Sequence, residues 1–167
     1  KYTFEHFCKI PVEVDMASEF RYRNPLIDEH TLCIFISQSG ETADTIAALK
    51  LAKNAGSKTL AVVNVIGSSI TRIADYTIYT HAGPEIAVAS TKAYTCQVVL
   101  LNILAIYFAE SLGYSSKELE DFKTEILELP SKMKLILDDT KLIEDFAKEV
   151  YTQPDLYFIG RNTDYAV

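Results

Sequence analysis

Apolar runs of strand length alternate with helical patterns in the middle of the chain. Thr31 to Ile36 is a short run rich in β-favouring residues, and Thr59 to Val65 is nearly continuous, as in a strand covered on both faces. Tyr76 to Thr80 is a third short strand. Between the first two runs, apolar residues recur at helical spacing and end at Gly56. This order predicts an α/β fold, with a parallel sheet and crossover helices on its faces.

Weaker patterns flank these strands. Tyr2 to Lys9 predicts the end of an amphipathic helix, and Ile10 to Val14 alternates as a strand does. Ala17 to Arg23 contains Ser18, a candidate helix cap. A long helix, apolar on most sides, is expected from about Ser90 to Leu112, buried in the domain or against another subunit.

Residues 115–154 have the pattern of a charged, amphipathic helical connector. Ser115 and Glu118 form a capping box for its first helix, and Pro130 is expected to end that helix. Leu156 to Ile159 then predicts a new strand. The chain therefore divides into a partial first domain over 1–114, the connector over 115–154 and the start of a second, missing domain over 155–167.

The polar stretch SQSGETADT, which begins at Ser37, lies where the first predicted strand meets the first helix. Gly40 permits a tight turn, and the unpaired N–H groups of the helix start favour an anion. A helix cap accounts for one hydroxyl, but six residues here supply three hydroxyls and an amide. We therefore expect this turn to bind a phosphate, through the side chains of Ser37, Gln38, Ser39 and Thr42.

Further polar residues follow the second and third strands. The turn Gly67 to Ser69 either approaches the same ligand or caps a short helix, and capping explains it about as well. Glu85 fits the positive end of a helix and is not expected to be catalytic. Ser90 lies close enough to the end of the third strand to point into a ligand crevice. Lys92 is expected to be ion-paired rather than an imine-forming amine.

Composition excludes several classes of function. A formal net charge of −7 argues against nucleic acid, because binding to the phosphate backbone needs clustered Lys and Arg. Three separate cysteines indicate reduced thiols and a cytoplasmic protein. The longest apolar run, Val98 to Ala109, is shorter than the roughly 20 residues of a membrane span. No metal-ligand spacing or nucleotide-binding motif is present, so we expect neither a metal nor a cofactor.

Several motifs, taken together, resemble one family. The turn SQSGET resembles the phosphosugar-binding loop of the sugar isomerase (SIS) domain family. The other matching segments are ASEFRYR from Ala17, NVIGSS from Asn64, EIAVASTKAYT from Glu85 and IGR from Ile159. In this order they are similar to the isomerase half of the glutamine:fructose-6-phosphate aminotransferase family.

The resemblance implies a fold and a set of binding residues. The fold is a three-layer αβα, flavodoxin-like domain with a five-stranded parallel sheet, present twice in the intact isomerase half. Ser37, Gln38, Ser39 and Thr42 are expected to hold the sugar 6-phosphate, while the Val88 backbone and Ser90 contact the sugar. Ala87 and Pro84 depart from the residues usual in the family, and the Cβ of Ala87 is expected to narrow the sugar pocket. No catalytic residue is expected within this chain.

The resemblance also implies an activity. We expect the parent protein, a homodimer when intact, to make glucosamine 6-phosphate from fructose 6-phosphate and glutamine-derived ammonia. This fragment alone is expected to be inactive. Two alternatives remain: another SIS-domain phosphosugar isomerase or deglycase, and a non-catalytic sugar-phosphate sensor.

Overall fold

The computed structural model describes residues 1–86, 90, 92–157, 159 and 160. The strands are β1 (Leu32–Ser37), β2 (Lys58–Val63) and β3 (Tyr76–Tyr79). The helices are α1 (Tyr2–Cys8), α2 (Ala17–Phe20), α3 (Ala43–Asn54), α4 (Lys92–Ser111), α5 (Lys117–Asp138) and α6 (Lys141–Val150), and Ser69–Arg72 forms a 3-10 helix. The predicted alternation of strands and helices in the middle of the chain is confirmed, and its boundaries move by one or two residues.

The described strands form one parallel sheet in the order β1-β2-β3. Ser37 pairs with Val63, and Val63 pairs with Tyr79, so the carboxyl ends of the strands are level. The described residues thus supply three strands of the five that the resemblance implies. The connections that follow these strands therefore all leave the sheet at its carboxyl end.

Each face of the sheet packs against helices. On one face, Ile34, Leu60 and Ile78 join a core cluster with residues of α1, α4 and α5. On the other face, Phe35 and Ala61 pack with residues of α3, among them the fully buried Leu49. Alternate residues of a strand point to opposite faces, and both faces are covered by helices, which explains why the strands are mostly apolar. The predicted three-layer αβα fold is confirmed.

Helix α4 is partly buried and packs against α1. Its Ala105 carbonyl accepts a hydrogen bond from Cys8 Sγ at 3.3 Å, and Asn102 Oδ1 accepts one from Thr3 Oγ1 at 2.9 Å. Both contacts fix α1 on α4.

With 20 residues, α4 is long and apolar enough to cross a membrane by length and composition, and 28% of its most apolar window is buried. Length alone therefore does not exclude a membrane span, because α4 extends beyond the apolar run Val98 to Ala109 at both ends.

Two predictions near the N-terminus are wrong. Ile10 to Val14 forms no strand: Val12 N donates to Glu5 Oε1 at 3.2 Å, and Val14 is 71% exposed. Val12 is half-buried against a core cluster, but the segment pairs with none of the described strands, and Pro11 has no N–H for a ladder bond. Ser18 does not cap α2, which begins one residue earlier, at Ala17, without a side-chain cap.

The connector helix α5 begins and ends differently from the prediction. Ser116, not Ser115, caps it, because Ser116 Oγ accepts from Leu119 N at 3.1 Å. Glu118 does not complete a capping box but lies 3.0 Å from His6 Nε2 on α1. Pro130 lies inside the helix. A proline removes one backbone donor, and the helix-forming residues after it continue the helix to Asp138.

The predicted strand from Leu156 to Ile159 is not formed by the described residues of that range. Leu156, Tyr157 and Ile159 are 53%, 83% and 97% exposed, and none pairs with the described sheet. Apolar β-favouring residues form a strand only where a neighbouring strand supplies hydrogen bonds, and here the described residues supply none.

Asp75 joins the start of β3 to β2 and α3. Its carboxylate accepts hydrogen bonds from Thr59 N at 3.0 Å and Thr59 Oγ1 at 2.8 Å, and Lys53 Nζ lies 2.9 Å away. Lys53, followed by Thr59, lowers the pKa of Asp75 to about 2. The folded protein thus favours the ionised carboxylate more strongly than the unfolded chain does.

We expect Asp75→Asn to destabilise the protein at pH 7. The difference from wild type should shrink as the pH falls from about 4 to about 2, because the unfolded carboxyl titrates near 4 and the folded one lower. Urea denaturation midpoints between pH 2 and pH 7 measure this effect. Asp155→Asn, at an exposed site beyond α6, is the matched control. A deficit of Asp75→Asn that does not vary with pH would contradict the prediction.

Candidate functional site

The chain makes a tight turn between the carboxyl end of β1 and α3. Ser37, the last residue of β1, is only 7% exposed. Its Oγ accepts a hydrogen bond from Gly40 N at 3.0 Å and lies 3.4 Å from Thr42 Oγ1. Gly40 has φ 68°, a left-handed conformation that glycine adopts at little cost. The Ser37 hydroxyl therefore closes the turn and brings Thr42 beside it.

The hydroxyls of this turn do not cap α3. Thr42 is the N-cap residue, but its side chain makes no capping hydrogen bond. Ser39 Oγ accepts from Glu41 N at 3.2 Å, a bond within the turn before the helix. Side-chain capping therefore does not explain why hydroxyls gather here, and the first N–H groups of α3 have no side-chain acceptor at the N-cap.

The second polar turn packs directly against the first. Gly40 O accepts from Ile70 N at 3.1 Å, and Glu41 Oε1 accepts from Ser69 N at 2.7 Å. The Ser69 side chain, followed by its backbone N–H, lowers the pKa of Glu41. Ser68 is 4% exposed, makes no capping bond, and its Oγ has no hydrogen-bond partner among the described residues. The second turn thus supports the first, and capping by Ser68 is not observed.

An open cleft of about 640 Å³ lies at the level carboxyl ends of the strands. It is lined by Gln38, Asn64, Val65, Ile66, His81, Gly83, Pro84 and Glu85. This set contains no Lys or Arg, so the donors on this wall are amides, backbone N–H groups and an imidazole. In an α/β sheet, the carboxyl ends of the strands are where ligands bind.

Ser90 connects to this cleft through Glu85. The Glu85 carboxylate accepts from Ser90 Oγ at 3.2 Å and from Ala93 N, in the first turn of α4, at 3.1 Å. This contact confirms the helix-start role of Glu85. Val88 and Ala87 lie outside the described residues. Among the described residues, no group of three or more His, Cys, Asp or Glu is placed to hold a metal ion.

The sequence of this chain is similar to a family of α/β domains, in agreement with the parallel sheet described above. The family model for the SIS domain matches residues 1–107. The chain belongs to the SIS domain family. The level strand ends and the SQSGET turn are thus features of an SIS domain, and the resemblance derived from the motifs is confirmed.

The relatives of this SIS domain include aminotransferases. The chain is 55% identical, over its whole length, to glutamine–fructose-6-phosphate aminotransferase (isomerizing) of Clostridium tetani, and 55% identical to that of Caldanaerobacter subterraneus. It spans 28% of the length of each. It also resembles the solved C-terminal domain of glucosamine-fructose-6-phosphate aminotransferase from Francisella tularensis. That match has 35% identity and a TM-score of 0.74 over 88% of this chain and 43% of the other.

Asn64 is a residue of the cleft to which the sequence reasoning gave no role. Its Oδ1 accepts from Thr80 Oγ1 at 3.0 Å and from Ala82 N at 2.9 Å, while its Nδ2 donates to Gly83 O at 2.7 Å. Its backbone N donates to Gln38 O at 3.1 Å. The signal in the sequence is a single amide directly after the apolar run Leu60 to Val63, at the carboxyl end of the sheet, where ligands bind.

Proposed function

We propose that this SIS domain binds the phosphate and the sugar of fructose 6-phosphate, within an enzyme that makes glucosamine 6-phosphate from fructose 6-phosphate and glutamine-derived ammonia. The observation that carries the proposal is the turn from Ser37 to Thr42, whose hydroxyls gather at the start of α3 without capping it. The high identity to aminotransferases over the whole chain supports the choice of sugar.

In this proposal the phosphate binds the side chains of Ser37, Gln38, Ser39 and Thr42 and the first N–H groups of α3. Uncharged donors at a helix start suit a dianion, because the helix dipole supplies a partial positive charge. Ser90 and the Val88 backbone contact the sugar. The role of these residues is orientation, which raises the rate by holding the reacting carbons near groups outside this chain.

The remaining features of the protein are also proposals. The division into 1–114, 115–154 and 155–167 rests on the helical connector, in which α6 has no buried residue of its own in the described part. We propose a cytoplasmic homodimer that binds neither nucleic acid nor membrane. The net charge of −7 supports the first exclusion, and the contacts of α4 with α1 support the second.

The complete protein encoded by the gene tests this function. Incubated with fructose 6-phosphate and glutamine, it should form glucosamine 6-phosphate, and omission of glutamine should abolish the product. A protein that converts sugar phosphates without glutamine would be an isomerase or deglycase instead. A protein that binds fructose 6-phosphate but converts nothing would be a sensor. Absence of both binding and product contradicts the proposal.

A further inference from the structure

We propose that Asn64 is a positioning residue. It sets the distance between the phosphate turn, Ser37 to Thr42, and the segment from Thr80 to Glu85, which forms the sugar-side wall of the cleft. This inference rests on the proposed function. Asn64 stands at the carboxyl end of β2, between the turn after β1 and the segment after β3. It is one of the residues that line the cleft.

The amide of Asn64 bonds to three residues of one segment. Its Oδ1 accepts from Thr80 Oγ1 and Ala82 N, and its Nδ2 donates to Gly83 O, so both ends of the amide are used. A carboxylate at position 64 would lack the N–H that donates to Gly83 O, and an alkyl side chain would form none of the three bonds. These contacts fix both the position and the direction of the backbone as it leaves β3.

The backbone of Asn64 holds the other side. Its N–H donates to Gln38 O in the phosphate turn at 3.1 Å. The same residue therefore bonds to the proposed phosphate turn through its main chain and to the opposite wall through its side chain. The wall continues to Glu85, which accepts from Ser90 Oγ and from Ala93 N in α4.

The predicted consequence is a separation of two affinities. Asn64→Ala keeps the backbone bond to Gln38 and loses the three side-chain bonds, so the phosphate turn stays in place while the sugar wall shifts. Inorganic phosphate touches only the turn, whereas fructose 6-phosphate must reach both. General damage to the fold would weaken the binding of both ligands by the same factor. A change in the position of the wall should weaken the sugar phosphate alone.

Calorimetric titration of the complete protein with fructose 6-phosphate and with inorganic phosphate tests the proposal. Asn64→Ala should raise the Kd for fructose 6-phosphate by about tenfold or more and the Kd for inorganic phosphate by less than about twofold. Asn54→Ala, at the exposed far end of α3, is the matched control and should bind both ligands as wild type does.

The outcomes separate this inference from the function on which it rests. If wild type binds neither ligand, the proposed function fails. If wild type binds both and Asn64→Ala binds fructose 6-phosphate equally well, or loses both ligands in the same proportion, Asn64 does not position the wall. The thermal midpoint of each variant shows whether it is folded at the titration temperature. If Asn64→Ala is unfolded there, the same comparison is made with Thr80→Val, which removes only the Thr80 bond to Asn64.

Discussion

Gly40→Ala is expected to lower the free energy of unfolding by about 2–5 kcal/mol and to abolish phosphosugar binding. Gly40 has φ 68°, where an alanine is strained by about 1–2 kcal/mol. A Cβ at this position would lie 2.7 Å from Ser68 Cβ and 2.9 Å from Ile70 Cγ2. Ser68 lies in the second turn, Gly67 to Ser69, and Ile70 in the 3-10 helix that follows it, so relief of this overlap separates the two turns. Chemical denaturation and calorimetric titration measure the two effects.

Gly113→Ala is the matched control for this substitution. Gly113 has φ 83°, but nothing lies within 4 Å of the position of an added Cβ. Its alanine variant should therefore show only the backbone strain of about 1–2 kcal/mol and should bind fructose 6-phosphate like wild type. If Gly40→Ala costs no more stability than Gly113→Ala, the two turns do not pack as described.

Ser39→Ala and Thr42→Val are each expected to weaken the binding of fructose 6-phosphate by about 10- to 150-fold. The estimate follows from the loss of one hydrogen bond to a charged group, about 1.5–3 kcal/mol. Thr42 is exposed and its side chain caps nothing, and the hydrogen bond that Ser39 Oγ accepts from Glu41 N lies within the turn. Neither substitution should therefore cost much stability. Titration of the complete protein with fructose 6-phosphate measures the change in Kd.

Exposed hydroxyls on α5 provide matched controls. Ser131→Ala and Thr124→Val make the same chemical changes on the connector, away from the cleft. Both should bind fructose 6-phosphate with the affinity of wild type. Unchanged affinity in Ser39→Ala and Thr42→Val would show that the ester does not bind these hydroxyls.

The central sheet was predictable because its signals are local. The apolar runs at β1 and β2 have strand length, and Gly56 ends α3 with a left-handed residue. The polar turn after β1 follows from residue types alone. Its closure by the Ser37 hydroxyl does not, because that bond depends on the backbone path around Gly40.

Predictions failed where the outcome depends on distant partners. Ile10 to Val14 alternates like a strand, but its environment provides no described strand to pair with. Pro130 stands inside α5 because its neighbours sustain the helix on both sides. Glu118 has a partner in His6, which is remote in the sequence, and this contact replaces the expected capping box.

Pairwise side-chain contacts were also beyond the sequence. Nothing in the pattern around Asn64 reveals that its amide bonds to Thr80, Ala82 and Gly83, because those contacts arise only when β2 and β3 lie side by side. The same holds for Asp75 and Thr59. Which residues of neighbouring strands and loops come into contact depends on the register of the sheet, and the sequence pattern does not give that register.

The most direct measurement is a crystal structure of the complete protein with fructose 6-phosphate bound. Hydroxyls and N–H groups of the turn from Ser37 to Thr42 should lie about 2.5–3.2 Å from the phosphate oxygens, with the sugar extending towards Ser90. An ordered phosphate bound elsewhere, with this turn unoccupied, would contradict the account.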